Sequence, residues 1–466
     1  MTSIKDKIGY GLGDMASSMF WKIFSYYLPF FYANIYGLRL VDAAVLFLVT
    51  RLWDAVSDPM MGIVADRTES HWGKYRPYLL WFAIPFAVCG IMLMTTPHFS
   101  YQGKCAYAYI TYIMMMTVYT GINVPYGALL GVITPSSEEK TVFSSYRMFF
   151  AYMGSFIVLA VWEPLCSFFS RMCGDSPQAG WQCSMIVIAV CAAALFIGCF
   201  RQTSEKVYTG NETSVGNDLK RLMRNAPWWL LIGAALSGNL FCTVRGSAAA
   251  FYFADVVGAG ACVNFFGVEF GFFAGFFLSV GEIANMAGVA LTVPVSARFG
   301  KKSTLIAVNV LLASMSIAFF YLSPTQSGFI LMLVLQIVIS ICTGIISPLI
   351  WSMYADVSDY SELRWRTAST GLIFSSASMA QKLGNALGGS GTLWMLGLFG
   401  YATVNDGMEV AQTSVAMLGL RLLMSYIPAC AALLGIATVC LYPLTSCRMR
   451  EIDTWLQKMR SDMITD

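Results

Sequence analysis

RLWDAVSDPMMGIVADRTESHWGKYRP, residues Arg51 to Pro77, decides how the rest of the chain is read. Arg51, Asp54 and Asp58 follow one another at spacings of three and four, so at about 3.6 residues per turn all three side chains share one face of a helix. They lie in an apolar segment that begins near Ala43 and ends near Ala65. If this helix spans a bilayer, an ionised carboxylate facing lipid is too costly. The face must look into protein or a water-filled cavity, and paired intramembrane carboxylates point to function. Beyond the pair, Gly62, Asp66, Arg67, Gly73 and Lys74 form a polar, basic turn before apolar sequence resumes at Tyr78, as a cytoplasmic loop would.

The whole chain has membrane character. Of its 466 residues 57% are hydrophobic and 12% charged, with a mean hydropathy of +0.63, whereas a soluble domain has about a quarter of its residues charged. The net charge of +3 says little about partners, and nothing points to nucleic acid. Segments of the ~20 apolar residues needed to cross a bilayer fall at roughly 10–35, 43–65, 78–97, 105–133, 143–162, 181–200, 228–257, 265–295, 303–322, 328–353, 370–400 and 416–444, which predicts twelve transmembrane helices. Lys5 and Lys7 lead into the first span without an A-x-A-like cleavage site, so that helix is expected to remain in the product. The fold class expected is an all-α polytopic membrane protein.

Loop charges set the orientation. Lys5, Lys7, Arg67, Lys74, Arg76, Lys140, Arg201, Lys206, Arg298, Lys301, Arg364 and Arg448 fall among the loops and tails of one parity, and the opposite parity has only Arg39, Lys104 and Arg171. The positive-inside rule then places both termini in the cytoplasm. The polar interval from Arg201 to Pro227 divides the chain into a six-helix bundle at 1–200, a cytoplasmic middle loop at 201–227 and a second bundle at 228–446, with a tail at 447–466. SARFGKKS after the eighth span echoes the loop after the second, and DYSELRWRTASTG after the tenth echoes PSSEEKTVFSSYR after the fourth. Repeated halves with a site between them are a common plan of secondary transporters. Most of the 13 cysteines read as small buried hydrophobes. Cys166, Cys173 and Cys183 share one outer loop, where a Cys173–Cys183 disulfide is one possibility.

Four stretches in order, KIGYGLGD (7–14), RLWDAVSDPMMG (51–62), VYTGINVPYGALL (118–130) and ADVSDYSELRWRTASTG (355–371), resemble the major facilitator superfamily. More narrowly, nearly the whole chain resembles the glycoside-pentoside-hexuronide:cation symporters, the family of the bacterial melibiose permease. The resemblance implies that Asp54 and Asp58 hold the coupling cation with Thr120, that Lys382 in the eleventh helix lies near that pair, and that Arg147 in the fifth helix belongs to the sugar site. Ser18 and Asn123 depart from the pattern, standing where the melibiose permease has sugar-binding aspartates. Gly127 stands where that permease has a tryptophan that stacks on the sugar. Melibiose is therefore not expected to be read as that permease reads it, although Asn123 can still hydrogen-bond a hydroxyl.

Each candidate has a structural alternative. Asp54 and Asp58 could form a buried ion pair with Arg51, although buried pairs are poor stabilisers. As ligands, two carboxylates and a hydroxyl suit Na⁺ or a shared proton equally. Arg245, mid-span in the seventh helix, could take a substrate carboxylate bidentately or pair with Glu282. Ser18, Tyr119, Asn123, Tyr126, Arg147, Arg245, Ser378 and Lys382 make up the expected substrate set. Asp14, Asp66, Arg67, Asp356, Asp359, Glu362 and Arg364, at cytoplasmic ends, are expected in gate contacts that break between states.

The two histidines cannot form HExxH, and neither a G-x-S-x-G elbow nor a P-loop is present, so an enzyme and an ATP-driven pump both lack support. The expectation is a cation-coupled sugar symporter of the bacterial inner membrane, monomeric and lipid-embedded, with no cofactor beyond a coupling Na⁺ or H⁺. The rivals are a symporter of lysolipid-like or organic-anion substrates and a non-transporting receptor or pore.

Overall fold

The computed structural model describes residues 3–134, 137–205, 222–258, 261–265, 268–365, 370–403, 411–445, 448–449, 451–452 and 454–455. The side chains of some residues within these ranges, Asp66 and Glu362 among them, lie outside the description, as does Arg366.

The first helix, Ile4–Lys22, starts at a capping box in which the Ser3 hydroxyl accepts from the Lys5 N–H and the Asp6 carboxylate accepts from the Ser3 N–H. It runs on through two π turns, Ile23–Tyr27 and Phe31–Ile35, on either side of Pro29. Proline removes an N–H and crowds the preceding turn, and widening that turn relieves the crowding. Next come Leu40–Asp66, Arg76–Trp81 with Ala83–Leu93, Tyr101–Ile133, Ser137–Met172 and Pro177–Gln202. The chain then forms Ala226–Tyr252, extended by a π turn Phe253–Val257, followed by Ala274–Phe299, Lys301–Phe319, Gln326–Trp365, Thr370–Leu398, Ser414–Met424 and Tyr426–Cys440.

Eight of these, among the described residues, are long and apolar enough to cross a membrane: Tyr101–Leu130, Val142–Met172, Pro177–Gln202, Ala226–Val257, Ala274–Phe299, Lys301–Phe319, Gln326–Ser361 and Ser414–Cys440. The helix Leu40–Asp66 is also long enough, but Asp42, Arg51, Asp54 and Asp58 lower its apolarity.

One expected span is corrected. The stretch at 265–295 is helical only from Ala274, because two strands precede it, β1 (Cys262–Phe265) and β2 (Val268–Gly271), paired antiparallel. Gly258, at φ 85°, ends the preceding π turn, and the hairpin places Glu269 opposite Asn264.

The chain forms two compact units. The first comprises Met1–Gly210, Ala249–Glu282 and Gly389–Gly419, and the second Asn211–Ala248, Ile283–Gly388 and Leu420–Asp466. In the first unit Ile4–Lys22 packs on Ser137–Met172 and Pro177–Gln202, and Leu40–Asp66 packs on Tyr101–Ile133. Trp181 anchors an aromatic cluster with Tyr27, Phe30, Phe31 and Trp162. The second unit centres on Leu231, Leu305, Ile339, Leu349 and Tyr354. Lipid gives little hydrophobic drive between helices, so close packing at small residues holds them together. At Gly275 an added Cβ would stand 2.3 Å from the Leu159 carbonyl oxygen, and at Gly288 one would stand 2.3 Å from that of Ile341.

Candidate cation and substrate site

The helix Leu40–Asp66 carries Arg51, Asp54 and Asp58 on one face, as their spacing requires. Arg51 Nη1 lies 3.0 Å from Asp54 Oδ2, with both groups buried, and its guanidinium stacks over Trp21 at 4.9 Å. From Tyr101–Ile133, the Thr120 hydroxyl donates to Asp58 Oδ1 at 2.8 Å. Arg51, Asp54 and Asp58 sum to one negative charge.

Two features beside the pair were not singled out from the sequence. Pro59 follows Asp58 inside the helix and has no N–H, so the Ala55 carbonyl loses its helical donor next to the carboxylates. Ser57 is buried, and its hydroxyl donates to the Asp54 carbonyl at 3.4 Å. A proline immediately after a buried aspartate was the available signal for both.

The first helix contributes a second polar line. Asp14, Ser18, Lys22 and Tyr26 recur every four residues, so they share a stripe. Asp14 Oδ2 accepts from Arg147 Nε at 3.0 Å, and Arg147 lies over the Tyr126 ring at 5.3 Å. Tyr126 stacks on Tyr10 at 4.7 Å and donates its hydroxyl to the Tyr10 carbonyl at 2.7 Å. Lys22 Nζ meets Glu282 Oε1 at 2.5 Å and also reaches the Tyr26 hydroxyl at 3.3 Å. Asn123 Nδ2 donates to the Tyr119 carbonyl on its own helix, and Tyr119 packs on Trp21. Beside Gly127 no described atom lies within 4 Å of where a Cβ would stand.

The pairing of Arg245 with Glu282, weighed from the sequence, is corrected. Glu282 pairs with Lys22 instead. The Arg245 fork closes on Gln336 Oε1, at 2.9 Å from Nη2 and 3.3 Å from Nε, while Nη1 donates to the Met424 carbonyl at 2.6 Å. Its guanidinium covers Phe319 at 4.6 Å. A neutral amide has taken the place expected of a carboxylate.

The other candidates are placed as follows. Lys382 is half-buried on Thr370–Leu398, in the second compact unit, and Ser378 is exposed one turn before it. Asn385, three residues past Lys382, accepts from the Thr243 hydroxyl at 2.6 Å. Asp356 holds Lys301 at 2.7 Å, joining Gln326–Trp365 to Lys301–Phe319. Arg364 donates to the Tyr360 hydroxyl at 2.9 Å, Asp359 is half-buried, and Arg67 is exposed.

Further contacts secure the first helix within the first unit. Tyr27 donates to Glu163 Oε1, which also accepts from the Gly275 N–H, each at 2.8 Å. Tyr401 donates to Asp255 at 2.6 Å and receives a hydrogen bond from Asn34 at 3.2 Å. Burial and the adjoining Asp255 carboxylate push the Tyr401 phenol's pKa up and keep it a donor.

At the far end of Leu40–Asp66 the Glu205 carboxylate accepts from the backbone N–H groups of Lys74, Tyr75 and Arg76 at 2.7–2.8 Å, capping Arg76–Trp81. Gly73, at φ 110°, gives it access. Cys173 and Cys183 are free thiols within hydrogen-bonding reach of each other.

A family model described as MFS/sugar transport protein matches residues 9–446. The chain belongs to this family of transporters, not enzymes. Within it, the chain is a member of the glycoside-pentoside-hexuronide:cation symporters, as its relatives show. The inner membrane symporter YicJ of Escherichia coli is 34% identical over 97% of this chain and 94% of its own length. The isoprimeverose transporter of Lactiplantibacillus pentosus is 30% identical over 90% of this chain and 85% of its own. The glucuronide carrier protein homolog of E. coli is 27% identical, covering 98% and 97%. Among solved structures, a bacterial homologue of the human drug peptide transporters PepT1 and PepT2 superposes with a TM-score of 0.68 at 11% identity, covering 97% of this chain and 100% of its own. The nucleoside transporter NupG gives 0.61 at 13% identity, covering 95% and 100%. These likenesses carry the fold, that of a major facilitator transporter with membrane-spanning helices.

Proposed function

We propose that this symporter carries a neutral glycoside or pentoside across the bacterial inner membrane with one monovalent cation, which is bound by Asp54, Asp58 and the Thr120 hydroxyl. The observation that carries this reading is the gathering of oxygen ligands where the two helices pack, with the Thr120 hydroxyl donating to Asp58 at 2.8 Å and Asp54 one turn away, 3.0 Å from Arg51. The Ser57 hydroxyl and the Ala55 carbonyl are further oxygen ligands within the same turn. Hard oxygen donors suit Na⁺, which is the ion proposed.

The chain spans the membrane twelve times as two six-helix halves, 1–200 and 228–446, with both termini cytoplasmic, and works as a monomer in lipid. The helices Ile4–Lys22, Leu40–Asp66, Ala83–Leu93 and Thr370–Leu398 supply the four spans beyond the eight long apolar ones. The sugar binds along the stripe of Ser18 and Lys22, near Asn123, Tyr119, Tyr126 and Arg147. Asp14 with Arg147, and Asp356 with Lys301, are gate pairs that break between states.

A bound cation neutralises the carboxylate face and orders the neighbouring sugar contacts, and the sugar in turn raises cation affinity by the same factor. The test is uptake of neutral pentosides, hexosides and uronides into proteoliposomes under imposed Na⁺ or H⁺ gradients. Accumulation of a neutral glycoside that a Na⁺ gradient drives and Asp58→Asn abolishes is the expected result. Uptake indifferent to both gradients overturns the coupling.

A further inference from the structure

Glu282 is buried, 5% exposed, at the ninth residue of Ala274–Phe299. One carboxylate oxygen, Oε1, is held by Lys22 Nζ at 2.5 Å, and Lys22 is steadied by the Tyr26 hydroxyl and ring. The other oxygen, Oε2, is buried and has no hydrogen-bond partner among the described residues. A buried carboxylate oxygen with no donor to accept from is costly, and native proteins keep such atoms where a ligand completes them.

Its position says which ligand. Lys22 stands one turn beyond Ser18 on the stripe that begins at Asp14, so the Lys22–Glu282 pair borders the proposed sugar contacts. Those contacts lack a free acceptor of full charge. Asp14 is taken by Arg147, Ser18 and Asn123 are neutral, and Asn123 already donates to its own helix. A polyol presents O–H donors, and a carboxylate oxygen accepts them more strongly than a neutral oxygen does.

We propose that Glu282 is the carboxylate that accepts a hydroxyl of the transported sugar through Oε2, with Lys22 as its positioning residue. Lys22 holds Oε1 and so aims Oε2. The ligand class is a neutral pyranoside with a hydroxyl at the matching position. A sugar that carries a carboxylate there has no proton to donate and is repelled. This inference rests on the sugar-symport reading and adds a specificity residue to it.

The experiment uses the full chain in proteoliposomes, with the methyl glycosides of D-xylose, D-glucose and D-galactose as probes. For each one that the wild type accumulates, its monodeoxy analogues follow. One deoxy analogue is expected to lose about tenfold or more in KM, the worth of one charge-assisted hydrogen bond. Glu282→Gln should raise KM for the parent glycoside by a similar factor, leave the cation dependence in place, and no longer distinguish parent from that analogue. Lys22→Gln should move the same KM in the same direction. Glu282→Asp, which keeps the charge, should recover part of the discrimination.

If Glu282→Gln slows turnover while KM and the deoxy pattern stay as in the wild type, the pair is a helix strut and the proposal fails, with symport standing. If the wild type accumulates none of the three glycosides, the sugar reading fails and this inference falls with it. Monodisperse elution in detergent and heat stability of each variant separate misfolding from lost recognition.

Discussion

The hydroxyl of Thr120 donates to Asp58 Oδ1 across 62 residues of sequence, while Arg51 engages Asp54 one turn away. The two carboxylates on this helix face thus meet different groups, Asp54 the Arg51 guanidinium and Asp58 the Thr120 hydroxyl. The proposed cation site can be tested one carboxylate at a time.

Asp58→Asn is expected to abolish gradient-driven accumulation while leaving the protein folded, since the neutral amide still accepts from Thr120. Thr120→Ala should weaken apparent cation affinity about tenfold, roughly 1.4 kcal/mol for one lost oxygen ligand. Initial uptake rates measured against Na⁺ concentration check both. An unchanged half-saturation in Thr120→Ala would remove that residue from the site.

Arg51→Ala should destabilise by about 3 kcal/mol or more, because it strands the buried Asp54 charge without its partner. A double variant, Arg51→Met with Asp54→Leu, should melt above Arg51→Ala yet transport nothing uphill. Thermal unfolding in detergent micelles, run beside uptake, separates the structural share of the pair from its functional share.

Gly73→Ala meets two obstacles at one residue. The backbone holds φ at 110°, and the added Cβ would stand 2.6 Å from the Glu205 carboxylate carbon. Strain of this kind costs about 1–3 kcal/mol, and displacing Glu205 uncaps three N–H groups as well. A clear drop in melting temperature is expected, and Glu205→Ala should show a smaller drop through the lost cap alone.

Gly275→Val would push against the Leu159 carbonyl and the Tyr27 hydroxyl, at 2.3 and 2.9 Å from the new Cβ. It should wedge Ala274–Phe299 away from Ser137–Met172 and free the Glu163 carboxylate from the Gly275 N–H. A lower melting temperature of Gly275→Val than of the wild type in detergent is the readout.

Sequence periodicity determined a good deal. Spacings of three and four set Arg51, Asp54 and Asp58 on one face. Apolar length located the helices, apart from 262–271, where a short apolar run with Glu269 inside it forms a hairpin instead of the start of a span. Helical phase depends on neighbours within a turn or two, so it is written locally.

Which charge meets which was decided only in tertiary structure. Lys22 finds Glu282 across 260 residues, Arg245 closes on the amide of Gln336 instead of an acid, and Glu205 reaches back to the N–H groups beside Gly73. Each of these pairings depends on how two distant helices pack, on the small residues that let them approach, and on the desolvation that makes a buried charge take the one partner within reach. Composition and spacing supply the charges and the faces they lie on. Packing alone brings two faces together.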